Sequence, residues 1–277
     1  MPQSKRIKSK FEELKNSNKK GLITFVTAGD PNYDTSLEIL KKLPDAGADI
    51  IEIGMPFTDP MADGPGIQAS YLRALEAGQT LKKTIQLVKD FREFNCNVPI
   101  VLMGYYNPIY KYGVETFIKN IKEIGVDGII VVDLPPEADR EFCIPANEKG
   151  IDFIRLATPT SNEDRLPKIV NNASGFLYYV SVAGITGANA PEISSIESKI
   201  KTIRNFTDIP IAVGFGIKTP EQAVNIAKTA DAVVVGSAII DKINEAYKKD
   251  KNNIKLIADS AADLVKTLSN ALNNYKE

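Results

Sequence analysis

Glu52 is the residue whose position most clearly suggests chemistry, because it lies in an otherwise apolar run, ADIIEIGMPF. Burying a carboxylate without a partner is costly, and burial raises the pKa of a carboxyl group toward neutrality. A carboxylic acid with such a pKa can both give and take a proton near pH 7. The alternative is a structural glutamate held by a Lys or Arg of a neighbouring strand, for which Arg155 is the main candidate.

Further carboxylates follow this run and another apolar run. Asp59 and Asp63 lie in TDPMADGPGIQ, where Asp before Pro or Gly is also ordinary turn chemistry. If Asp63 faces the same pocket as Glu52, the two carboxylates form a pair able to carry out acid–base catalysis. Asp133 ends the run in VVDLPPE, and we interpret it as a residue that orients a neighbouring loop by hydrogen bonds rather than as a catalyst.

Glycine-containing turns, AGITG, GFGI and GSA, follow three consecutive apolar runs in the second half of the sequence. Glycine lets backbone N–H groups approach an anion closely. The loops after the last strands of a (β/α)8 barrel and a nearby helix N-terminus commonly bind phosphate, and Ser237 would add a hydroxyl there. Tight turns that need positive φ are the structural alternative for each turn alone.

Composition excludes several kinds of site. The sequence contains no histidine, which rules out Ser-His-Asp and Cys-His nucleophile pairs and imidazole metal ligands. Lys and Arg number 34 against 35 Asp and Glu, a net charge of −1, so no bulk field attracts nucleic acid or an anionic membrane. No Lys ends an apolar run, so a Schiff base is not indicated. No acidic cluster has the spacing of a metal cage, although Glu52, Asp59 and Asp63 leave that possibility open.

The cysteine pattern and the hydropathy pattern indicate a cytoplasmic protein. Cys96 and Cys143 form neither a CxxC motif nor a disulfide framework. The N-terminal segment is polar and basic, without the apolar core of a secretory signal. No apolar run approaches the roughly 20 residues of a membrane span.

The elements that must position these side chains are short strands alternating with helices over 277 residues. Val- and Ile-rich runs that are nearly continuous in hydrophobicity are typical of parallel strands buried on both faces. Eight such runs predict an α/β fold, a (β/α)8 TIM barrel with an extra N-terminal helix and a single domain over 1–277. A doubly wound open sheet is the rival, but no strand-turn-helix unit carries a complete G-x-G-x-x-G. The eight runs are 22–27, 50–53, 100–103, 128–132, 153–157, 176–180, 211–213 and 232–235.

Helix starts are predicted from capping signals, and one long connection is notable. Thr35, Thr80, Ser161 and Thr219 each precede residues with helical spacing, and a last helix of about 20 residues is expected to begin near Asn253. The connection over 54–79 is the longest, and we expect a loop with a short extra helix there. The residues alone therefore predict a phosphate-binding barrel enzyme with carboxylate acid–base chemistry, acting on a small phosphorylated substrate.

The segment IEIGMPFTDPMADGPGIQ resembles the tryptophan synthase alpha chain family, as do TFVTAGDP before it and YYVSVAGITG, GFGIKTPEQ and VVVGSAII after it. The resemblance runs in order over about residues 5–270. It implies retro-aldol cleavage of indole-3-glycerol phosphate to indole and glyceraldehyde 3-phosphate. It also implies a beta-chain partner in an alpha2-beta2 heterotetramer, with pyridoxal phosphate in that partner and no cofactor in this chain.

The resemblance also implies roles for individual residues. Glu52 matches the general acid–base of the family, Asp63 its second catalytic carboxylate, and Thr186 the lid residue that closes over Asp63. The walls of the indole pocket are expected at Phe25, Leu102, Tyr105, Tyr178 and Phe215, the phosphate cradle at Gly187, Gly216, Gly236 and Ser237, and the partner-facing loop at Pro56 and Asp59.

One departure and three alternatives accompany this assignment. Val182 stands where many members of the family have Arg, which concerns how the lid is held rather than the reaction. Another phosphate-binding barrel enzyme, such as an isomerase or indole-glycerol-phosphate synthase, is expected to show a catalytic Lys or Cys near a strand end. A stand-alone indole-releasing lyase differs only in not depending on a beta chain. A catalytically silent activating subunit would not need both Glu52 and Asp63.

Overall fold

The computed structural model describes residues 5–181, 193–214 and 216–275. Parallel strands form one sheet and helices surround it, as predicted. The strands are β1 (Gly21–Thr27), β2 (Ile50–Gly54), β3 (Ile100–Gly104), β4 (Gly128–Val131), β5 (Asp152–Phe153), β6 (Arg155–Ala157), β7 (Leu177–Val180), β8 (Ile211–Gly214) and β9 (Ala232–Val235). The helices are α1 (Arg6–Asn16), α2 (Tyr33–Lys42), α3 (Pro65–Glu76), α4 (Leu81–Phe94), α5 (Tyr106–Tyr112), α6 (Val114–Glu123), α7 (Cys143–Glu148), α8 (Leu166–Val170), α9 (Ile193–Arg204), α10 (Pro220–Ala227), α11 (Ser237–Lys249) and α12 (Ile254–Asn274).

The sheet closes into a barrel through β5 and β6. The strand order is β5-β4-β3-β2-β1-β9-β8-β7-β6, so these two short strands lie at its ends. Only Ile154 separates them in the chain, and its backbone N–H donates to Ile129 O at 3.0 Å. The predicted run 153–157 is therefore one strand divided in two, pairing β4 with its first half and β7 with its second. The predicted (β/α)8 barrel is confirmed.

The barrel interior holds an apolar cluster distinct from the larger core between the strands and the helices. Along a strand, residues of this interior cluster alternate with residues that face the helices. Ile7, Phe11 and Leu14 of α1 belong to this interior cluster, and their spacing places them on one face of the helix. The predicted N-terminal helix therefore packs against the barrel interior. The other residues of the cluster lie on strands, except Ile154 between β5 and β6 and Phe176 just before β7; those on strands are Ile23, Ile50, Val101, Ile130, Ala212, Ala232 and Val234.

Helix starts agree with the sequence at two predicted caps and differ at two. Thr80 caps α4, and Thr219 forms a complete capping box with Gln222. Thr35 is not a cap: Asn32 caps α2, because its side chain accepts from the Thr35 backbone N–H. Ser161 does not open α8, which begins at Leu166 so that a proline lies in the first turn, where its missing N–H costs nothing.

The long connection after β2 contains a loop and then α3, which is attached to the end of β1 by polar contacts. Arg73 donates through Nε and Nη2 to both carboxylate oxygens of buried Asp30, at 2.8 and 2.9 Å. The hydroxyls of Ser70 and Thr27 are 2.6 Å apart. These contacts fix the helix that directly follows Asp63.

Candidate active site

A cavity of about 1050 Å³ lies at the C-terminal ends of the barrel strands. Its lining brings together the carboxyl-bearing residues Glu52 and Asp63 with Gly216, Gly236 and Ser237, although these residues are far apart in the sequence. Parallel strands direct all their C-terminal ends to one side of the barrel, which is where active sites of this fold occur. The cavity is therefore the candidate active site.

Glu52 projects into this cavity from the inner face of β2. It alternates with Ile50 of the interior cluster, and its neighbours across the sheet are Phe25 of β1 and Val101 of β3. The residue is 1% exposed, and among the described residues neither carboxyl oxygen has a hydrogen-bond partner. Burial raises the pKa of Glu52 to about 8. Glu52 is therefore mostly a neutral acid at pH 7, able to donate a proton.

Arg155 does not hold Glu52 in place. Its guanidinium forms an ion pair with Asp139, Nη1 donates to Leu134 O at 2.5 Å, and the group lies 4.5 Å from the centroid of the Phe153 ring. The alternative interpretation of Glu52 as a glutamate paired with Arg155 is wrong.

Asp63 lies in the loop just before α3 and is 5% exposed. Its Oδ2 accepts a hydrogen bond from Tyr105 Oη at 2.7 Å, and the same hydroxyl accepts from the Ala62 backbone N–H at 3.0 Å. Gln68 Nε2 donates to the Asp63 carbonyl at 2.8 Å. Burial raises the pKa of Asp63, and the hydrogen bond from Tyr105 opposes that rise. Tyr105 thus favours the ionised form of Asp63.

Three of the residues expected in the phosphate cradle, Gly216, Gly236 and Ser237, line the cavity. Gly236 is the N-cap of α11 and Ser237 its first residue, and both line the cavity. The first backbone N–H groups of a helix have no partner within the helix and carry partial positive charge, so they bind anions well. Gly216 also lines the cavity and has φ of +61°, which favours glycine.

Comparison with known proteins decides the family. A family model described as tryptophan synthase alpha chain matches residues 11–270. The chain belongs to the tryptophan synthase alpha chain family.

Solved structures of tryptophan synthase are similar over nearly the whole chain. Tryptophan synthase subunit alpha from Legionella pneumophila is 37% identical, covers 98% of this chain and 99% of that one, and has a TM-score of 0.90. A chain of the alpha2-beta2 complex from Pyrococcus furiosus is 38% identical, covers 90% and 98%, and has a TM-score of 0.80. A Mycobacterium tuberculosis tryptophan synthase structure is 28% identical, covers 96% and 99%, and has a TM-score of 0.85.

The expected indole-pocket residues lie in three kinds of position. Phe25 and Tyr178 line the cavity. Leu102 does not, because it is buried among the residues that face the helices, whereas the next residue of β3, Met103, lines the cavity. The expectation that Leu102 forms a wall is corrected to Met103, which was not named from the sequence. Tyr105 is fully buried beside the cavity, where its hydroxyl reaches Asp63.

Other predicted residues lie at the rim or outside the described part of the chain. Asp59 is exposed and its carboxylate accepts from the Thr58 hydroxyl at 2.5 Å, and Pro56 is partly exposed on the same loop. Asp133 accepts from the Tyr106 backbone N–H at 2.8 Å, at the start of α5, in agreement with a loop-orienting role. Four further residues lie outside the described ranges: Val182 and Thr186, expected in the lid, Phe215, expected in the indole wall, and Gly187, expected in the phosphate cradle.

The described ranges contain neither a metal site nor a membrane-spanning helix. Within them, no group of three or more Cys, Asp or Glu side chains is placed to hold a metal ion. The helices described there are all too short or too polar to cross a membrane.

Proposed function

We propose that Glu52 and Asp63 carry out the cleavage of indole-3-glycerol phosphate to indole and glyceraldehyde 3-phosphate, the lyase reaction of the tryptophan synthase alpha chain family. The observation that supports this most strongly is a buried, uncharged Glu52 that shares one cavity with Asp63 and with the N-terminus of α11. These features match the needs of a substrate with an aromatic ring, a hydroxyl beside the bond to be broken, and a phosphate.

The substrate is proposed to lie across the cavity. Its phosphate is bound at Gly216, Gly236 and Ser237, since the N-terminus of α11 supplies unpaired N–H donors there. Its indole ring lies between Phe25 and Tyr178, beside Met103. This orientation places the bond between the ring and the glycerol chain near Glu52.

Bond cleavage then needs one proton donated and one removed. The protonated Glu52 gives its proton to indole C3, and the ring nitrogen becomes positively charged. The resulting Glu52 carboxylate takes the proton of the neighbouring hydroxyl on the glycerol chain. The carbon–carbon bond breaks as that oxygen forms the aldehyde carbonyl, the bonding electrons return to the ring as indole, and Glu52 is protonated again.

Asp63 is proposed to stabilise the charged intermediate. A carboxylate beside the indole N–H counters the positive charge that develops on the ring nitrogen. The hydrogen bond from Tyr105 favours the ionised form of Asp63, against the effect of burial, and fixes the direction of its carboxylate. Glu52, which has no hydrogen-bond donor among the described residues, and Asp63, which has one, thus occupy different environments that suit them to different proposed roles.

The released indole is proposed to pass to a beta chain, since the similar chain from Pyrococcus furiosus belongs to an alpha2-beta2 tryptophan synthase complex. Pro56 and Asp59, on the exposed loop between Glu52 and Asp63, are the proposed contacts with that chain. Alpha chains of this family carry no cofactor themselves, and pyridoxal phosphate is proposed to lie in the beta partner. The cytoplasm is the proposed location, in agreement with Cys96 and Cys143 as free thiols.

Assay of the purified chain on indole-3-glycerol phosphate, alone and with a beta chain, tests this function. We expect slow release of indole by the chain alone and faster release with the partner. Equal and full activity in both cases would instead indicate a stand-alone lyase. No indole in either case would indicate a silent activating subunit.

A further inference from the structure

Tyr71 carries a buried hydroxyl that has no role in the proposed steps of bond cleavage. It lies on α3, is 1% exposed, and among the described residues its Oη has no hydrogen-bond partner. Leaving a buried polar group unpaired is costly, so such a group requires an explanation. Glu52 could accept a hydrogen bond from such a donor, since among the described residues neither of its carboxyl oxygens has a hydrogen-bond partner.

Gly54 brings the Tyr71 hydroxyl to the inner face of the barrel. Gly54 follows Glu52 by two residues on β2, so a side chain at Gly54 would point to the same face. A Cβ atom built on Gly54 would lie 3.1 Å from Tyr71 Oη and 2.6 Å from Phe25 Cζ. The Tyr71 hydroxyl and the Phe25 ring therefore occupy the space that a side chain at position 54 would fill. This space lies next to Glu52, toward the C-terminal end of β2.

The ionisable groups around this hydroxyl come from several elements. Burial raises the pKa of Tyr71, and the negative charges of Asp63, Tyr105 and Glu52 raise it further. Asp63 already accepts from Tyr105, whereas Glu52 has no donor. Tyr178 of β7 is the other tyrosine whose pKa the charge of Glu52 raises. Among the carboxyl groups near Tyr71, Glu52 is therefore the one that most needs a hydrogen-bond donor.

We propose that Tyr71 is a positioning residue for Glu52, whose hydroxyl donates a hydrogen bond to the Glu52 carboxylate while the Glu52 proton is on the substrate. This inference rests on the proposed acid–base role of Glu52. A carboxylate left in apolar surroundings without a donor is strongly destabilised, and a hydrogen bond to a charged group is among the strongest available. Tyr71 thus lowers the cost of the ionised state through which each turnover passes.

Tyr71→Phe tests the proposal because it removes the hydroxyl and keeps the ring. The pKa of Glu52, measured by carbon-13 NMR of labelled glutamate carboxyl groups with Glu52→Gln for assignment, is expected to rise by about one unit. The alkaline limb of the kcat profile should move upward by the same amount, and kcat near pH 7 should fall about tenfold. KM should stay within about threefold, since Tyr71 is not part of the cavity lining. Tm should not fall, because the lost hydroxyl has no partner in the resting protein.

Tyr33→Phe is the matched control, because the Tyr33 hydroxyl donates to Asp90 at 2.7 Å, away from the cavity. It should leave the Glu52 pKa and kcat unchanged. An unshifted Glu52 pKa in Tyr71→Phe, or a shift of the Asp63 pKa alone, would overturn the proposal. So would a Glu52 pKa that shifts in Tyr178→Phe and not in Tyr71→Phe. If Glu52→Gln retains activity, the proposed function fails instead, and the NMR result on Tyr71→Phe still stands separately.

Discussion

The hydroxyl of Tyr105, at the end of β3, donates to Oδ2 of Asp63, on the loop after β2, at 2.7 Å. The same hydroxyl accepts from the backbone N–H of Ala62, so it holds both the side chain and the backbone of this loop. Gln68 of α3 holds the Asp63 carbonyl from the other side. A catalytic group misplaced by 1 Å can cost about 10²-fold in rate, so these contacts bear directly on the proposed role of Asp63 although they do not themselves touch the substrate.

Tyr105→Phe should lower kcat about tenfold, because it removes a hydrogen bond to the proposed Asp63 carboxylate. In the native protein the hydrogen bond from Tyr105 lowers the pKa of Asp63. Without that bond the pKa of Asp63 should rise, and the acidic limb of the kcat profile should move to higher pH. Steady-state kinetics as a function of pH check both effects. Tyr110→Phe is the control, since Tyr110 is 66% exposed. An acidic limb that does not move would show that Tyr105 acts only by packing.

Ser237→Asp should weaken binding of glycerol phosphate by at least about tenfold while leaving indole binding nearly unchanged. The substitution adds a negative charge at the proposed phosphate site, and an acidic residue in the first turn of α11 is favourable for the helix. Calorimetric titration of each ligand checks the result, with Ser237→Ala as control. Equal weakening of both ligands would indicate a general disturbance of the cavity instead.

The stability of the protein should depend on the pH through Glu52. The pKa of Glu52 is about 8 in the folded protein, against the ordinary glutamate value of 4.5 that applies in the unfolded chain. As the pH rises, the unfolded chain therefore loses this proton first. Stability therefore falls as the pH rises through this window, by at most about 1.4 kcal/mol per pH unit. Glu52→Gln removes this dependence, so its free energy of unfolding relative to wild type should increase between about pH 5 and pH 8.

Urea unfolding at several pH values measures that difference. Glu123→Gln provides the control, because Glu123 is an exposed glutamate whose Oε1 makes a surface ion pair, 3.9 Å from Lys119 Nζ. Parallel stability curves for wild type and Glu52→Gln would show that Glu52 titrates normally in the folded protein.

A beta chain should accelerate indole release by about tenfold or more, which corresponds to about 1.4 kcal/mol on the barrier. Asp63 lies on a loop, and a partner that prefers the ordered loop would increase the fraction of correctly placed carboxylate. Asp59→Ala should reduce this acceleration and leave the activity of the isolated chain unchanged, because Asp59 is exposed and contacts Thr58 through its side chain. Acceleration that is the same in Asp59→Ala and wild type would remove Asp59 from the proposed interface.

The sequence predicted the barrel well because each strand is a compact run of apolar, largely β-branched residues. The same property hid the orientation of β3. When both faces of a strand are buried, the alternation of polar and apolar residues disappears, so nothing in the run shows that Met103 rather than Leu102 faces the cavity. Glu52 was identifiable because a carboxylate interrupts such a run, and its burial and raised pKa agree with that interpretation.

Contacts between distant segments could not be predicted in the same way. Tyr105 ends one run and Asp63 follows the preceding one, so the parallel order of β2 and β3 made their proximity plausible. The bond itself depends on the path of the loop. The placement of Tyr71 depends in addition on the absence of a side chain at Gly54, which no periodic pattern encodes.

Glu52 is proposed to transfer the proton in the cleavage reaction, and the rate of indole formation by Glu52→Gln tests this role most directly. The measurement uses indole-3-glycerol phosphate with a saturating beta chain, alongside wild type and Glu123→Gln. We expect Glu52→Gln to remain folded and to lose roughly 10²-fold or more in kcat, the usual scale for a general acid–base, while Glu123→Gln matches wild type. A folded Glu52→Gln variant whose kcat lies within about threefold of wild type would contradict the account.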